Sequence, residues 1–448
     1  MRVLYMKTKT TLSLKPNFQK QTKEARRSLF LCTTMKKHLY TILCAVLMPI
    51  TTAAQGEFAA THGEYAAEGV KTVMMKQPGT DFGHPVCRLG EALSLEFDIL
   101  DNKYERLEYT IRHCDSDFNE DDLMFNEFAE GFDRRPLDDS KESFNTLQQY
   151  THYTLTIPNR DIKLTISGNY IINVYSDDDP DEPILTKRFM VYEGDGEMIS
   201  ARVEQPFLPE YQSQCQQLYV DIDNSRLRVY NPEKYMKVYA IQNGDHNSRR
   251  QLKISGFQHD EVQYRGNDGG NIFDGGNEYD FIDAKDVHFR ALGIDAILYQ
   301  NGRYHYVLTP IVCDEGYFNN GDINGAYYVK NDRGFDRDLE SDYIDVTFRL
   351  KYDSFTDYDI YLYGGLTNWQ CTPENKLEWN PDTKLWEITT LLKQGLYNYK
   401  FIFKDKDGNT AEYSSGNNFN TLNDYLIMVY TSLTRDRGER LVACKILK

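Results

Sequence analysis

Hydrophobic and polar residues alternate along most of the chain, which is the pattern of β-strands with one buried face. In one such stretch Leu93, Leu95 and Phe97 share a face. Turn-forming residues separate the stretches, among them Pro-Asn at 158–159 and the acidic run at 177–183. No stretch keeps a helical period over twelve residues. The pattern therefore predicts an all-β protein.

The predicted strands fall into three segments. Residues 70–193 hold about seven strands, the rhythm of an immunoglobulin-like sandwich. Residues 194–338 form a less regular β domain with a glycine-rich stretch at 265–279, which is predicted to be a long loop. Residues 339–448 alternate again and predict an early-set-like sandwich. The predicted fold class is therefore a series of consecutive immunoglobulin-like and early-set β-sandwich domains.

Residues 1–54 are predicted to be a leader outside the folded part. Two lysines at 36–37 precede an apolar run at 39–50 and small residues at 52–54, the three-part pattern of a secretory signal. The apolar run is too short to span a bilayer. Because Met35 directly precedes the lysines, we expect translation to begin there.

The net charge is strongly negative. The chain has 51 Lys and Arg against 68 Asp and Glu, a formal charge of −17. The leader contains 10 of those basic and 1 of those acidic residues, so the rest has 41 basic and 67 acidic residues and a charge of −26. Such a surface argues against nucleic acid as a partner and against anionic lipid. We also expect no direct membrane insertion, because no later segment is apolar for long enough.

Six cysteines lie beyond the leader, and an exported protein can pair them. The closest two, Cys87 and Cys114, are predicted either to bridge neighbouring strands or to be separate buried thiols. None has the spacing of a zinc site. The six are Cys87, Cys114, Cys215, Cys313, Cys371 and Cys444.

The sequence offers little catalytic chemistry. The motif HCDSD (113–117) ends a strand, but adjacent His and Cys are not thereby a nucleophile and its base. Asp115, Asp117 and Asn119 have the odd spacing of a calcium loop, yet Glu120 stands where that loop needs glycine. A structural turn is therefore the preferred interpretation. Motifs of serine hydrolases, zinc proteases and phosphate-binding loops are absent, so no catalytic residue, metal or cofactor is predicted.

Three tryptophans lie close together in the third segment. Trp369 follows a Gly-Gly pair, and Trp379 also lies near a turn, so both are candidates for contact with a glycan or a protein partner. Trp386 alternates with Ile388 and is predicted to face a core. Packing inside a sandwich is the alternative for all three rings.

Several motifs in order resemble one family, the plug protein of the type IX secretion system. They include YTIRHCDSDF (109–118), SFNTLQQYTHYTLTIPN (143–159), GGNEYDFID (275–283) and GGLTNWQ (364–370), and the resemblance covers nearly all of the chain beyond the leader. The positions that match the family motifs are His113, Cys114, Asp115, Asp117, Asn145, Thr146, Tyr150, His152, Tyr153, Asn159, Gly275, Gly276 and Asn277.

The resemblance implies a periplasmic, non-enzymatic all-β protein at the inner face of the outer membrane. Its implied partner is the outer-membrane translocon barrel, which the plug closes when no cargo is engaged. The loop at 265–279 is then a candidate contact with the barrel. The competing hypothesis is a periplasmic or surface glycan-binding protein, because the third segment also looks like starch-binding early-set modules. An envelope hydrolase lacks support, since no nucleophile or converging acids can be picked out.

Overall fold

The alternating stretches form β-strands, and pairs of facing sheets enclose three main apolar cores. The structure is a computed structural model. The predicted leader and Met35 lie outside the residues it describes, as does Cys313. The described residues are 64–101, 106–194, 196–266, 268–312, 317, 319, 321–352, 358–412, 416–432 and 437–448.

The first sandwich is built from strands β1 to β12. One sheet has the order β1-β12-β11-β5-β7 with β3 beside β12, the facing sheet has the order β2-β4-β9-β8, and β6 pairs with β10. A short helix, Phe125–Phe128, precedes β6. The strands are β1 (Tyr65–Ala66), β2 (Val70–Lys76), β3 (Val86–Arg88), β4 (Leu93–Leu100), β5 (Leu107–Cys114), β6 (Ala129–Gly131), β7 (Arg134–Pro136), β8 (Ser140–Glu142), β9 (Tyr150–Ile157), β10 (Ile162–Leu164), β11 (Gly168–Ser176) and β12 (Asp179–Tyr192).

The next strands along the chain are β13 to β19. Two helical turns, Asn224–Leu227 and Pro232–Tyr235, follow β14, and 3₁₀ turns lie at Gly196–Met198, Pro209–Tyr211 and His246–Ser248. The strands are β13 (Ile199–Glu204), β14 (Cys215–Asp223), β15 (Met236–Gln242), β16 (Arg250–Leu252), β17 (Gly256–Gln258), β18 (Glu261–Tyr264) and β19 (Ile272–Asp274).

Strands β20 to β32 complete the chain, with 3₁₀ turns at Gly365–Thr367 and Pro373–Asn375. They are β20 (Asp280–Asp283), β21 (Ile294–Gln300), β22 (Arg303–Leu308), β23 (Ile311–Val312), β24 (Tyr327–Val329), β25 (Tyr343–Lys351), β26 (Asp359–Tyr363), β27 (Glu378–Asn380), β28 (Leu385–Lys393), β29 (Gly395–Lys404), β30 (Thr410–Glu412), β31 (Tyr425–Thr431) and β32 (Arg440–Leu447).

The sheets cut across the predicted boundary between residues 338 and 339. Strands β31 and β32 join β15 and β16 in one sheet of the order β16-β15-β31-β32. This sheet faces β13, β14, β17, β18 and β19 to form the second sandwich. Strands β20 to β30 form the third sandwich, which the chain makes before it returns to the second. The predicted all-β sandwich fold class is confirmed. The domain limits themselves stay a prediction.

The described residues belong to one compact unit that spans 60–448. Within them, no helix has the length and apolar character needed to cross a membrane. The glycine-rich stretch 265–279 is not a continuous loop, because it contains β19, which pairs with the start of β14. The pairing explains why Phe273 is buried in the second core.

Candidate functional site

Most of the family-motif residues lie where one sandwich meets another. We call the contact between the first and second sandwiches the first joint, that between the first and third the second joint, and that between the second and third the third joint.

The first joint is centred on the loop that follows β5. The Asp115 carboxylate accepts hydrogen bonds from the backbone amides of Asp117 (2.8 Å) and Asn119 (2.9 Å), which closes the turn. The amide of Ser116 donates to Glu439 of the second sandwich at 2.7 Å. The HCDSD turn is thus a structural connector between two sandwiches, as its side-chain chemistry predicted for a turn.

Arg249 joins the same turn from the second sandwich. Its guanidinium donates to the Asp117 carboxylate (2.9 Å) and to the Ser116 carbonyl (2.6 Å). Its Cζ lies 3.6 Å from the centre of the Tyr239 ring, a cation–π distance. The planar group therefore satisfies three partners at once, which a lysine cannot do.

An apolar cluster fills the rest of the first joint. Within it, the Tyr430 hydroxyl of the second sandwich donates to Asn169 of the first at 2.7 Å. The cluster joins Val86 and Met190 of the first sandwich to Tyr239, Ile241, Leu426, Met428, Tyr430, Leu441 and Cys444 of the second.

His113 and Cys114 lie behind this turn and have structural roles. His113 Nδ1 is 2.5 Å from an Asp121 carboxylate oxygen, and its Nε2 is 3.2 Å from the Ser167 carbonyl. Gly168 has a positive φ, and a Cβ there would lie 2.2 Å from the His113 ring. Burial raises the pKa of the Cys114 thiol to about 12, so this thiol is not a ready nucleophile.

The described cysteines all carry free thiols, including Cys87 and Cys114. Of the two interpretations of Cys87 and Cys114, the structure shows the second, in which the two are separate buried thiols. Burial also raises the pKa of Cys87 to about 12.

The second joint is built on the outer face of the sheet that contains β4 and β9. Alternate β4 residues point into the first core, so Asp98 points outward, where the third sandwich covers it completely. One Asp98 oxygen accepts from Lys393 Nζ (2.6 Å) and from the Tyr343 hydroxyl (2.7 Å). The other is 2.7 Å from His152 Nδ1.

These partners set the charge of Asp98. Burial by itself raises the pKa of this carboxyl, but the Lys393 charge and the His152 hydrogen bond together hold the pKa below its ordinary value. Lys393 also lies 4.1 Å from the centre of the Tyr150 ring. The Tyr150 hydroxyl donates to the main-chain carbonyls of Asp338 (3.0 Å) and Ser341 (3.1 Å). The cluster therefore satisfies a fully buried ion pair, as buried charges require.

The loop before β9 extends the second joint. Asn145 is exposed and has a left-handed backbone (φ 55°), and the Thr146 hydroxyl donates to Ser143 at 3.0 Å. The Leu147 amide donates to the Asp342 carboxylate of the third sandwich at 2.6 Å. Asn145 and Thr146 thus shape a loop that contacts the next sandwich.

Tyr153 and Asn159 lie inside the first sandwich, away from any joint. Tyr153 stacks on Phe97 at 5.3 Å between ring centres. The Asn159 side chain donates to the Tyr109 hydroxyl (3.0 Å) and accepts from the amide of Ile162 (3.0 Å). These two motif residues therefore stabilise the first sandwich and do not form part of a joint.

The third joint contains the Gly-Gly-Asn motif. A Cβ on Gly275 would lie 2.0 Å from the Asn418 carbonyl oxygen, so only glycine fits there. The Gly276 amide donates to Asn417 Oδ1 (3.0 Å), and the Asn277 side chain accepts from the next amide, that of Glu278 (3.0 Å). This part of the glycine-rich stretch is held against the chain that returns to the second sandwich.

Trp369 is buried at the third joint, with 7% of its surface exposed. Its ring meets Tyr279 and Tyr363 edge-on at 6.0 and 5.6 Å. Its carbonyl accepts from the Asn247 side chain of the second sandwich at 2.7 Å. A Cβ on Gly325 would lie 2.2 Å from the indole, so that glycine makes room for it. The indole is enclosed by Tyr279, Tyr363 and Ile402 and presents no face to a sugar.

Trp379 is half-buried beside Trp386. The two rings are 5.7 Å apart and inclined at 63°, and Trp386 packs on the third core as predicted. The two rings meet edge to face and therefore do not form one continuous flat platform. The geometry therefore does not favour the glycan-binding hypothesis.

Several residues at the joints had no signal in the sequence. Asp98 and Lys393 look like ordinary polar positions on alternating strands, and only the packing of another sandwich buries them. Glu439 lies just before β32 and is half-buried beside Lys237. A polar residue on the outward face of a strand can be assigned to a buried contact only when the element that packs over it is known.

The fold and its joints define an all-β scaffold of three sandwiches connected by buried polar and apolar contacts. Residues 70–193 match the family model described as "Type 9 secretion system plug protein 1st domain". A crystal structure of a hypothetical protein from Parabacteroides merdae is 30% identical in sequence, with a TM-score of 0.81. The similarity covers 86% of this chain and 98% of that one. No curated protein matches the chain.

The chain belongs to the type IX secretion system plug protein family. The resemblance in the sequence is thereby confirmed. Membership associates the protein with that secretion system and with a periplasmic or other envelope location, and the family is a non-catalytic kind of domain.

Proposed function

We propose that this protein is a periplasmic plug that docks on the outer-membrane translocon barrel of the type IX secretion system. It lies at the inner face of the outer membrane and closes the barrel when no cargo is engaged. It performs no chemical step. The match of residues 70–193 to the plug family is the observation that carries the proposal.

The joints support this role physically. A plug must resist deformation at a wide opening, and three sandwiches that could turn freely would leave gaps. Here the Asp98–Lys393 pair, the Arg249 contacts and the hydrogen bond from Asn247 to the Trp369 carbonyl connect each sandwich to the other two. Interfaces that bury charged and aromatic groups in matched contacts resist relative motion better than small polar domain interfaces do.

The first experiment is co-purification. An affinity-tagged chain is expressed from its own locus, and outer membranes are solubilised in mild detergent. The expected result is recovery of one very large barrel protein with the tagged chain. A strain with the same tag on an unrelated periplasmic protein is the control. Absence of the chain from every translocon preparation would contradict docking.

The second experiment tests closure. Cells that lack the protein are expected to admit large antibiotics that intact outer membranes exclude, and restoring the full chain should reverse this. Deletion of the barrel in the same strain should also restore exclusion, because the leak is then through the barrel. Normal exclusion of large antibiotics by the strain without the plug would contradict the closing role. It would not contradict docking on the barrel.

A further inference from the structure

We propose that Glu96, His152 and Asp338 form a binding site for a divalent transition-metal ion of the Zn²⁺ type at the second joint. One ligand atom from each of these residues lies within 4.8 Å of the other two. Two ligands come from adjacent strands of the first sandwich, and the third comes from the loop before β25. This inference goes beyond the proposed function, because closing a pore requires no metal.

His152 is oriented as a metal ligand. It is 8% exposed, and its Nδ1 is 2.7 Å from Asp98, so that nitrogen donates its proton to the carboxylate. The lone pair is then on Nε2, which makes no hydrogen bond with the residues that the structure describes. A carboxylate behind a histidine is the usual outer-shell partner of a metal-bound imidazole, since it fixes the tautomer and increases basicity. Lys393 and Tyr343 in turn hold Asp98 in place.

The two carboxylates keep free ligand capacity. Lys76 Nζ bonds one oxygen of Glu96 at 2.6 Å, which leaves the other oxygen for an ion. The backbone of Asp338 is fixed independently of its side chain, because its carbonyl accepts from Lys393 (2.7 Å) and Tyr150 (3.0 Å). One oxygen of the Asp338 carboxylate forms an ion pair with Arg337 Nε at 3.5 Å, which leaves the other oxygen for an ion.

The donor set selects the kind of ion. One imidazole and two carboxylates give three protein ligands, and water can complete the four positions that Zn²⁺ prefers. Imidazole favours Zn²⁺ and its neighbours over Ca²⁺ and Mg²⁺, which prefer oxygen alone. An ion there would connect the first sandwich to the third beside the Asp98–Lys393 pair.

The test measures Zn²⁺ binding to the purified, untagged protein by competition with a coloured chelator, and its stoichiometry by calorimetry. We expect one Zn²⁺ per chain and much weaker Ca²⁺ binding. Asp338→Asn removes a ligand while its main-chain contacts stay, and we expect at least ~10-fold weaker Zn²⁺ binding, the scale of losses at metal-site positions. His152→Gln should have the same effect. Asp332→Asn removes an exposed carboxylate six residues earlier in the chain; it is the matched control and should bind Zn²⁺ like the wild type.

A second readout separates binding from folding. Zn²⁺ should raise the melting temperature of the wild type and of Asp332→Asn, since a ligand that binds the folded state stabilises it. At the same Zn²⁺ concentration, the rise should be clearly smaller in Asp338→Asn, in proportion to its weaker binding. Absence of stoichiometric Zn²⁺ binding in the wild type, or equal affinity in Asp338→Asn, would overturn the site. Equal affinity for Ca²⁺ and Zn²⁺ would overturn its assignment to a transition metal.

Discussion

The first and second joints connect the same sandwich to two neighbours by opposite means. The first is an apolar cluster with a polar turn at its edge. The second is centred on Asp98 and Lys393, both almost completely buried, with aromatic hydroxyls and a histidine around them. One joint resembles a piece of protein core, whereas the other resembles a buried ion-pair network.

The difference teaches what each joint contributes. Burying apolar side chains stabilises an interface roughly in proportion to area and tolerates small shifts. A buried ion pair gains little net energy, because desolvation offsets most of the attraction, but it is satisfied in only one alignment. We therefore expect the first joint to hold the sandwiches together and the second to fix their orientation.

The largest expected effect comes from removing one charge of the buried pair. Asp98→Ala leaves Lys393 buried without its counter-charge, and we expect a loss of about 3–5 kcal/mol in the free energy of unfolding. Urea unfolding followed by tyrosine and tryptophan fluorescence measures it. The double variant Asp98→Leu with Lys393→Met should recover much of the loss. A double variant as unstable as Asp98→Ala would show that the loss of stability does not come from the unpaired charge.

The next effect sharpens the apolar side of the comparison. Leu441 is fully buried in the first joint, so Leu441→Ala should cost about 2–5 kcal/mol through lost contacts and a cavity. Leu422 is 59% exposed, and Leu422→Ala is the matched control with almost no expected change. Equal effects of the two substitutions in urea unfolding would contradict the packing of this joint.

A third prediction concerns acid. Burial raises the pKa of Glu439, but hydrogen bonds from Lys237 and Ser116 outweigh it and hold the pKa below its ordinary value. The stabilising contribution of Glu439 is therefore complete above about pH 4.3, the ordinary glutamate pKa, and is lost as the pH falls through the lowered pKa. We expect Glu439→Gln to cost about 1–2 kcal/mol at pH 7, and the difference from wild type to shrink towards pH 3. Unfolding curves over that range measure it, and a difference independent of pH would count against the ionic contact.

The smallest expected effect tests the edge of the first joint. Arg249→Lys keeps the charge but loses the simultaneous contacts to Asp117, Ser116 and the Tyr239 ring. We expect a loss of about 1 kcal/mol. Arg333→Lys, at an exposed ion pair with Asp286, is the control and should change little. Thermal unfolding of the two variants side by side distinguishes these outcomes.

Much of the fold could be predicted from the sequence, because alternation reports which residues of a strand face a core. Leu93, Leu95 and Phe97 are all buried as their spacing predicted. Alternation does not report which other strand a given strand pairs with. The alternation at 425–429 is the same whether that strand joins the third sandwich or, as the structure shows, the second. Pairing over such distances is decided by the shape of whole sheets, which local pattern does not contain.

The candidate site was harder to predict for a related reason. The HCDSD turn could be identified as structural from its own capping residues. In contrast, the fate of Trp369 depended on the space that Gly325 leaves far away in sequence, and the importance of Asp98 depended on Lys393. Such contacts, within a sandwich or between sandwiches, are set by pairs of distant residues, so one sequence by itself leaves them open.

The return of β31 and β32 to the second sandwich has a consequence for the order of assembly. The second core contains Tyr425, Ile427 and Ala443, so it cannot close until the last strands are available. The strands of the third sandwich, in contrast, all lie between β20 and β30 and can pair earlier. Because contacts over long sequence separations form slowly, the second sandwich is expected to be the last to fold. A chain that crosses a membrane unfolded would thus be unable to close its second core until β31 and β32 have crossed.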